Sequence, residues 1–371
     1  MKGFFLEKLV VRGIRNIHLA EIQLCPGFNL FYGLNGSGKS SILEAVYILS
    51  RGRSFRTRNL KTVITHGQPE CTCFGVIRDE ARNASVPIGV SRHGSGAFFF
   101  KVDGEYVQTA SRLAEVMPVQ LINSESYQLL NGAPGERRSY LDWGVFHVEH
   151  SYRLSLTRFQ RCLKHRNSLL RRGKIDPLEL SVWDKEFCIL SQQITSARER
   201  YLEALVPVTH EVFAHLGLVG DYGFRFVPGW DTQTSLQEQL EGALERDQKV
   251  GFTQVGPHRA DIRITAGQSL AADVLSRGQG KMLVYALKLA QGLLLKRLAR
   301  RQCIYMLDDL PAELDGKHRA NIGKLLSEMG VQVLITGVDR QDLQDIVRAE
   351  DTPLSVFHVE QGAVRPDSLG M

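Results

Sequence analysis

The stretch "FNLFYGLNGSGKSSILEAV", Phe28 to Val46, constrains this chain more than any other. An apolar run ends at Tyr32, glycines stand at Gly33, Gly36 and Gly38, and Lys39 and Ser40 open a segment with helical spacing. Glycines let the backbone turn its N–H groups inward, and a helix start adds roughly half a positive charge. Strand, loop and helix in that order cradle a polyphosphate, and the spacing matches the nucleotide-binding phosphate loop. Gly33, Leu34, Asn35, Gly36, Ser37, Gly38, Lys39, Ser40 and Ser41 are the expected contacts to ATP. Lys39 is expected on the β- and γ-phosphates and Ser40 on Mg²⁺.

Kinases, GTPases, helicases and transporters share such a loop, so the acidic half of the site has to choose among them. "CIYMLDDL", Cys303 to Leu310, reads as a buried strand whose carboxyl end carries Asp308 and Asp309. Asp308 would complete the Mg²⁺ shell, and Asp309 would orient or deprotonate the attacking water. Asp315 either caps the next helix or takes a part in the site.

Around these motifs the chain alternates. Short strands are expected at "FFLEKLVVRGI", "IHLAEIQLC" and from Cys71 to Val107, an antiparallel β-layer with turn chemistry at "RHGSGA" and "VDGEY". From Arg137 to about Leu218 apolar residues recur at helical spacing, with Gly173 and Pro177 breaking the run into a hairpin. Beyond "GPHRADIRI" come a helix headed by "LSRGQ", the strand "CIYML", a helix from about Asp315, and the strands "VQVLIT" and "LSVFHVE". Strands alternating with helices predict a doubly wound, largely parallel sheet with the helical middle inserted between its halves.

With 371 residues, 43% of them hydrophobic, the chain buries a core without staples. Its six cysteines are scattered and lack the paired spacing of a zinc site, which fits reduced thiols in the cytoplasm. Glu7 and Lys8 interrupt the one candidate signal segment, and no apolar run is long enough to span a membrane. No membrane association is expected.

The order of the phosphate loop, "LSRGQ" at Leu275 and "LDD" with "ELD" at Leu307 to Asp315 resembles the ABC-type ATPase head of the SMC group. Within it the chain is most similar to the RecF family, through "RGIRN", "GRSFR", "LLNGAPGERRSYLDWGVFH", "GPHRAD", "LSRGQ" and "DDLPAELD". The resemblance implies an α/β head with an inserted helical arm: residues 1–122 and 249–371 as the head and 123–248 as the arm. It implies that Ser276, Arg277, Gly278 and Gln279 meet the γ-phosphate of ATP held by a second subunit, and that Asp315 lines the same interface. Arg12 and Asn16 would lie near the nucleotide base and the first turn, and Gln120 would link Mg²⁺ to the arm unless it is a polar residue on a strand edge.

Family likeness further implies an ATP-dependent homodimer on duplex or gapped DNA. It implies work with RecR and RecO in loading RecA for recombinational repair, replication restart and the SOS response. Ser124, Gly280 and Pro311 depart from the family pattern, Gly280 suggesting local flexibility. Asp309 in place of a glutamate predicts slow, DNA-stimulated turnover. Thr336, where transporter ATPases carry histidine, speaks against the alternative of a transporter or translation-linked ATPase.

The formal charge of +6 invites a polyanion, and its clustering says where. "RGRSFRTRN" places Arg51, Arg53, Arg56 and Arg58 around Phe55, suited to DNA phosphates. A second set, Arg158, Arg161, Lys164, His165, Arg171, Arg172 and Lys174, is either a further contact or a solvated face. Arg137 and Arg138 serve either DNA or the arm-to-head joint, while "KRLARR" at Lys296 to Arg301 closes a helix.

Overall fold

A computed structural model describes residues 3–172, 175–347 and 352–367. Gly173 and Lys174, expected as a helix breaker and as part of the second basic set, lie outside the described residues. The chain forms two compact units: Met1–Ser126 with His215–Gly217 and Leu295–Met371, and Tyr127–Ala214 with Leu218–Leu294.

The first unit opens with β1 (Phe4–Ile14), β2 (Ile17–Gln23), β3 (Phe28–Tyr32) and α1 (Lys39–Arg51). Then follow β4 (Glu70–Asp79), β5 (Ala84–His93), β6 (Phe98–Val102), β7 (Glu105–Val107), α2 (Ala110–Val116) and β8 (Val119–Ile122). Strands pair antiparallel in the order β2-β1-β4-β5-β6-β7, the expected layer. Period-two alternation turns Leu9, Val11, Cys73, Ile77, Ile88 and Val90 into the core. Asp103 and Gly104, at φ 53° and 80°, make the tight turn predicted at "VDGEY". Cys71 lies in this core beside Cys73, and burial pushes its thiol up to about 11, so it is packing material.

The second unit holds α3 (Gln128–Asn131), α4 (Pro134–Val148), α5 (Tyr152–Leu170) and most of α6 (Pro177–Leu216). It also holds β9 (Tyr222–Val227), α7 (Leu236–Val250), β10 (Asp261–Ala266), β11 (Ser269–Leu270), α8 (Ala271–Val274) and α9 (Arg277–Ala299) up to Leu294. Pro177 is the first residue of α6, where its missing N–H costs nothing. Helices α5 and α6 form the expected hairpin, bridged by Ser155 to Gln193 at 2.9 Å and Arg158 to Glu186 at 2.6 Å. Arg166, fully buried, ties α5 to Asp184 at 2.7 Å on α6 and Asp247 at 3.0 Å on α7.

This division departs from the expected ranges, which put everything after 248 in the head. Arg137 grips Asp261 with both arms, at 2.6 and 3.0 Å, and Arg138 donates to the carbonyl of Ala260 at 2.7 Å. Tyr140 Oη donates to the carbonyl of Leu287, and Gln291 Nε2 to that of Tyr140, each at 2.8 Å. "GPHRAD" and the middle of α9 therefore pack with α4. Arg137 and Arg138 hold that joint together.

The chain returns to the first unit with β12 (Ile304–Leu307), α10 (Leu310–Glu313), α11 (Gly316–Met329), β13 (Val333–Gly337), α12 (Arg340–Gln344), β14 (Leu354–Glu360) and β15 (Ala363–Pro366). The sheet runs β15-β14-β3-β13-β12-β8 and is parallel except for the β14/β15 hairpin. All residues of β12 are fully buried, as a central parallel strand covered on both faces requires. The carboxyl ends of β3 and β12 reach the same edge, where such sheets bind ligands.

Candidate nucleotide site

The loop after β3 turns on Gly33, Gly36 and Gly38, at φ 150°, 79° and 120°. At Gly36 and Gly38 no other residue adopts that backbone cheaply. Lys39 reaches back across the loop and donates to the carbonyls of Gly33 at 2.7 Å and Leu34 at 2.9 Å. Burial lowers its pKa, against the pull of Asp309 and Asp308. Among the described residues no side chain caps the start of α1, and the buried Ser37 hydroxyl finds no hydrogen-bond partner. An uncapped helix start, an inward lysine and an orphaned hydroxyl together fit a polyphosphate.

Two neighbours brace this loop. Asn16 donates to the carbonyls of Ser37 at 3.0 Å and Gly36 at 3.2 Å and accepts from Ser41 Oγ at 3.3 Å. On the other side the Gly362 amide, in the β14–β15 turn, donates to Ser37 O at 2.7 Å. A Cβ on Gly362 would stand 2.0 Å from Asn16 O, so only glycine allows the approach. Arg12 stands exposed on β1 opposite Leu19 and Thr72, and of the two residues expected near the base it is Asn16 that touches the loop.

Asp308 and Asp309 follow β12 directly. Asp308 Oδ1 accepts from Ser40 Oγ at 2.9 Å and from Thr336 Oγ1 at 2.7 Å, so three chain segments meet on one oxygen. Ser40 and Asp308 thus present adjacent hard oxygens, a donor set that suits Mg²⁺. Asp309 sits in the left-handed region at φ 57°, its amide donating to Thr336 Oγ1 at 2.8 Å. Burial, with Asp308 alongside, raises the Asp309 pKa; Lys39 opposes the rise. Thr336, first noted for what it is not, is the residue that holds both aspartates.

The remaining expected contacts divide. Gln120 is buried within β8, level with Tyr305, two residues short of the carboxyl edge at Ile122. About 7 Å of strand separates it from that edge, where Asn123 instead caps the turn through the Ser126 amide at 3.1 Å. Asp315 caps α11, accepting from the His318 amide at 3.0 Å and from Nδ1 at 2.6 Å, and its pKa is lowered chiefly by that amide. At the head of α9, in the second unit, Ser276 N donates to Gln279 Oε1 at 3.0 Å and Gln279 N to Ser276 Oγ at 3.3 Å. That reciprocal pair is a capping box, with Arg277 and Gly278 exposed beside it.

The arginine-rich loop also divides. Arg53 and Arg58 are exposed, whereas Arg51 ends α1 half-buried, its pKa lowered by burial. Arg56 lies 3.7 Å from Glu44, a fully buried carboxylate on α1 that sequence reasoning passed over. Arg15 holds Glu44 with two nitrogens, at 2.9 and 2.8 Å, and Ser54 Oγ donates to it as well. "RGIRN" and "GRSFR" are therefore joined through one acid on the phosphate-loop helix. In the second basic set, Arg158 and Arg172 pair with glutamates and His165 stacks on Trp183 at 4.5 Å.

A family model described as "RecF/RecN/SMC N terminal domain" matches residues 5–365. The DNA replication and repair protein RecF of Pseudomonas syringae pv. tomato is 45% identical over 359 residues, 97% of this chain and 97% of that protein. This chain belongs to the RecF family. Among solved structures, one described as the recombination mediator protein RecF-ATPrS in the RecFOR pathway superposes with a TM-score of 0.87 at 24% identity, covering 99% of both chains. A Smc head domain with an extended coiled coil, derived from Pyrococcus furiosus, gives 0.60 at 16% identity over 99% of this chain and 96% of that one.

The RecF fold is thus the ABC-type, SMC-like ATPase head: a mixed α/β sheet with an antiparallel layer. Its departures from the RecF pattern have local reasons. Pro311 falls in the first turn of α10, where proline is tolerated, and Ser124 opens the short 3₁₀ turn to Tyr127. Gly280 is not a flexible point: a Cβ there would meet Tyr127 Cε2 at 2.8 Å and Leu130 Cδ2 at 2.9 Å, so it is a close-packing glycine.

Proposed function

We propose that this chain is an ATP-dependent DNA-binding protein of bacterial DNA replication and repair, acting in the cytoplasm. What carries the reading is the 2.9 Å contact between Ser40 Oγ and Asp308 Oδ1, which joins residues 268 positions apart at the mouth of the phosphate loop. ATP, when bound, supplies the phosphoryl group whose negative charge Lys39 and the α1 start would stabilise. Ser40 and Asp308 would hold Mg²⁺, the rest of its shell coming from phosphate oxygens and water.

Asp309 would accept the proton of the attacking water on its raised-pKa carboxylate. Its short side chain and tied backbone support slow turnover, stimulated by DNA. The exposed cap at Ser276 to Gln279 would meet the γ-phosphate of a second copy, with Asp315 lining that interface, so that ATP closes a homodimer on duplex DNA. Arg53 and Arg58 supply phosphate contacts near a single-strand gap. By family, RecR, RecO and RecA are its partners in loading the recombinase for repair, replication restart and the SOS response.

Two variants test the reading. Lys39→Ala should abolish ATP binding in equilibrium dialysis, and unchanged affinity would overturn the site. Ser276→Arg should bind ATP normally yet remain monomeric by light scattering with ATP and Mg²⁺; a wild-type dimer would remove the cap from the interface.

A further inference from the structure

The small sheet of the second unit ends in an open edge. Its order is β11-β10-β9, and β9 pairs with β10 alone, from Val227 opposite Asp261 to Tyr222 opposite Ala266 without a shift in register. On the far edge every second residue of β9 turns its N–H and C=O outward. Among the described residues none of these groups has a partner. Proline and bulges commonly guard such an edge, and β9 has neither.

Alternation divides the strand by chemistry. Tyr222, Phe224 and Phe226 share the inner face, where Phe213 of α6 lies with its ring centroid 5.0 Å from that of Tyr222 and 6.3 Å from that of Phe224. Phe224 and Phe226 are only half-buried. The outer face carries Arg225 directly opposite Arg263, both exposed. Opposed residues stand about 4.5 to 5.5 Å apart at Cα, and like charges so placed cost stability. Neither arginine has an acidic partner among the described residues, and Asp261, on the same face, is already held by Arg137.

Unpaired N–H and C=O groups along an edge match a polypeptide, whose backbone offers the complementary pattern. Nucleic acid would give the arginines phosphates but would leave that ladder unmade. A carboxylate on a fourth strand would stand beside Arg225, with Arg263 one strand behind, and would offset the repulsion between them. Its sequence neighbours would point to the inner face, against Phe224 and Phe226. We propose that the edge of β9 takes an extended acidic peptide of a partner protein, alternating carboxylate and apolar side chains, as a fourth strand. The site uses neither ATP nor the arginine loop, and so stands apart from the nucleotide and duplex readings.

The test is fluorescence anisotropy with a labelled peptide of alternating glutamate and valine, about seven residues long, beside one of alternating lysine and valine. The acidic peptide should bind the wild-type protein and the basic one should not. Arg225→Glu gives Arg263 an opposite charge, so it should keep or raise the thermal midpoint while weakening the acidic peptide by at least roughly tenfold. Two acidic peptides N-methylated on alternate residues, offset by one, should differ, one losing the ladder and its binding, the other binding as the unmodified peptide. In the wild-type protein, bound peptide should slow amide exchange within Tyr222–Val227.

A wild-type protein that ignores the acidic peptide, equal effects of the two methylation patterns, or protection confined to other segments would each overturn the proposal. If Arg225→Glu weakens duplex binding while the acidic peptide fails to bind wild type, the arginine pair serves nucleic acid and the fourth strand is ruled out.

Discussion

Glu44 has no exposure, yet Arg15, Ser54 and Arg56 converge on it from two other segments. Glu44→Ala leaves Arg15 and Ser54 facing a void, and stability should fall by about 2 to 4 kcal/mol, read from the urea midpoint at constant slope. In the sequence Glu44 is one acid on a helix, because its partners lie 29 and 10 residues away and no periodicity ties them to it. The acidic pair was more legible, since an apolar strand ending in two acids, ordinary by itself, has few other uses in a chain that also carries a phosphate loop; Thr336 was not, because a hydroxyl that positions two aspartates leaves no spacing signal. Asp309 has a raised folded pKa, so below that value it is protonated and cannot accept a proton, and above it the base is free. ATP hydrolysis should therefore fall on its acid limb at a pH above the ordinary carboxylate value of about 3.9. Asp309→Asn should remove that limb, cut turnover by roughly a hundredfold or more, and leave ATP binding intact in dialysis.

The head of α9 carries two glycines that composition treats alike. A methyl group added at Gly278 would have nothing within 4 Å, whereas at Gly280 it would press against Tyr127 and Leu130. Helix propensity alone makes either glycine-to-alanine change stabilising by up to about 1 kcal/mol. Packing reverses the sign at Gly280, where overpacking costs about 1 to 3 kcal/mol. Thermal unfolding should then show Gly278→Ala raising the midpoint and Gly280→Ala lowering it; equal upward shifts would mean that Tyr127 gives way. The capping box was readable in "SRGQ" because its partners are three residues apart, while Gly280 answers to a turn more than a hundred positions upstream. Gln120 shows the same limit at strand level: its strand was anticipated, but its place two residues inside the edge is set by pairing with β12.

At the scale of the whole molecule, the sequence reading recovered both sheets and the helical hairpin, because period-two and helical spacings are local properties. The compact units divide elsewhere than at the expected 248, because Arg137 on Asp261 and Tyr140 on Leu287 bind segments 124 and 147 residues apart. Charge behaves similarly. A net +6 announces an anionic partner without saying which arginines are free to meet it. Arg56, though exposed, lies against Glu44 and Arg51 is half-buried, which leaves Arg53 and Arg58 as the exposed arginines of the loop not set against that acid. Each phosphate contact on duplex DNA adds about 0.9 to the slope of log affinity against log salt. Arg53→Ala with Arg58→Ala should therefore flatten that slope by about 1.8, without lowering the thermal midpoint, in anisotropy titrations with ATP present. Arg56→Ala should flatten it less and cost some stability, because part of its charge is already spent on Glu44. Equal slopes for all three proteins would place the duplex on another surface, whatever the loop's composition suggests.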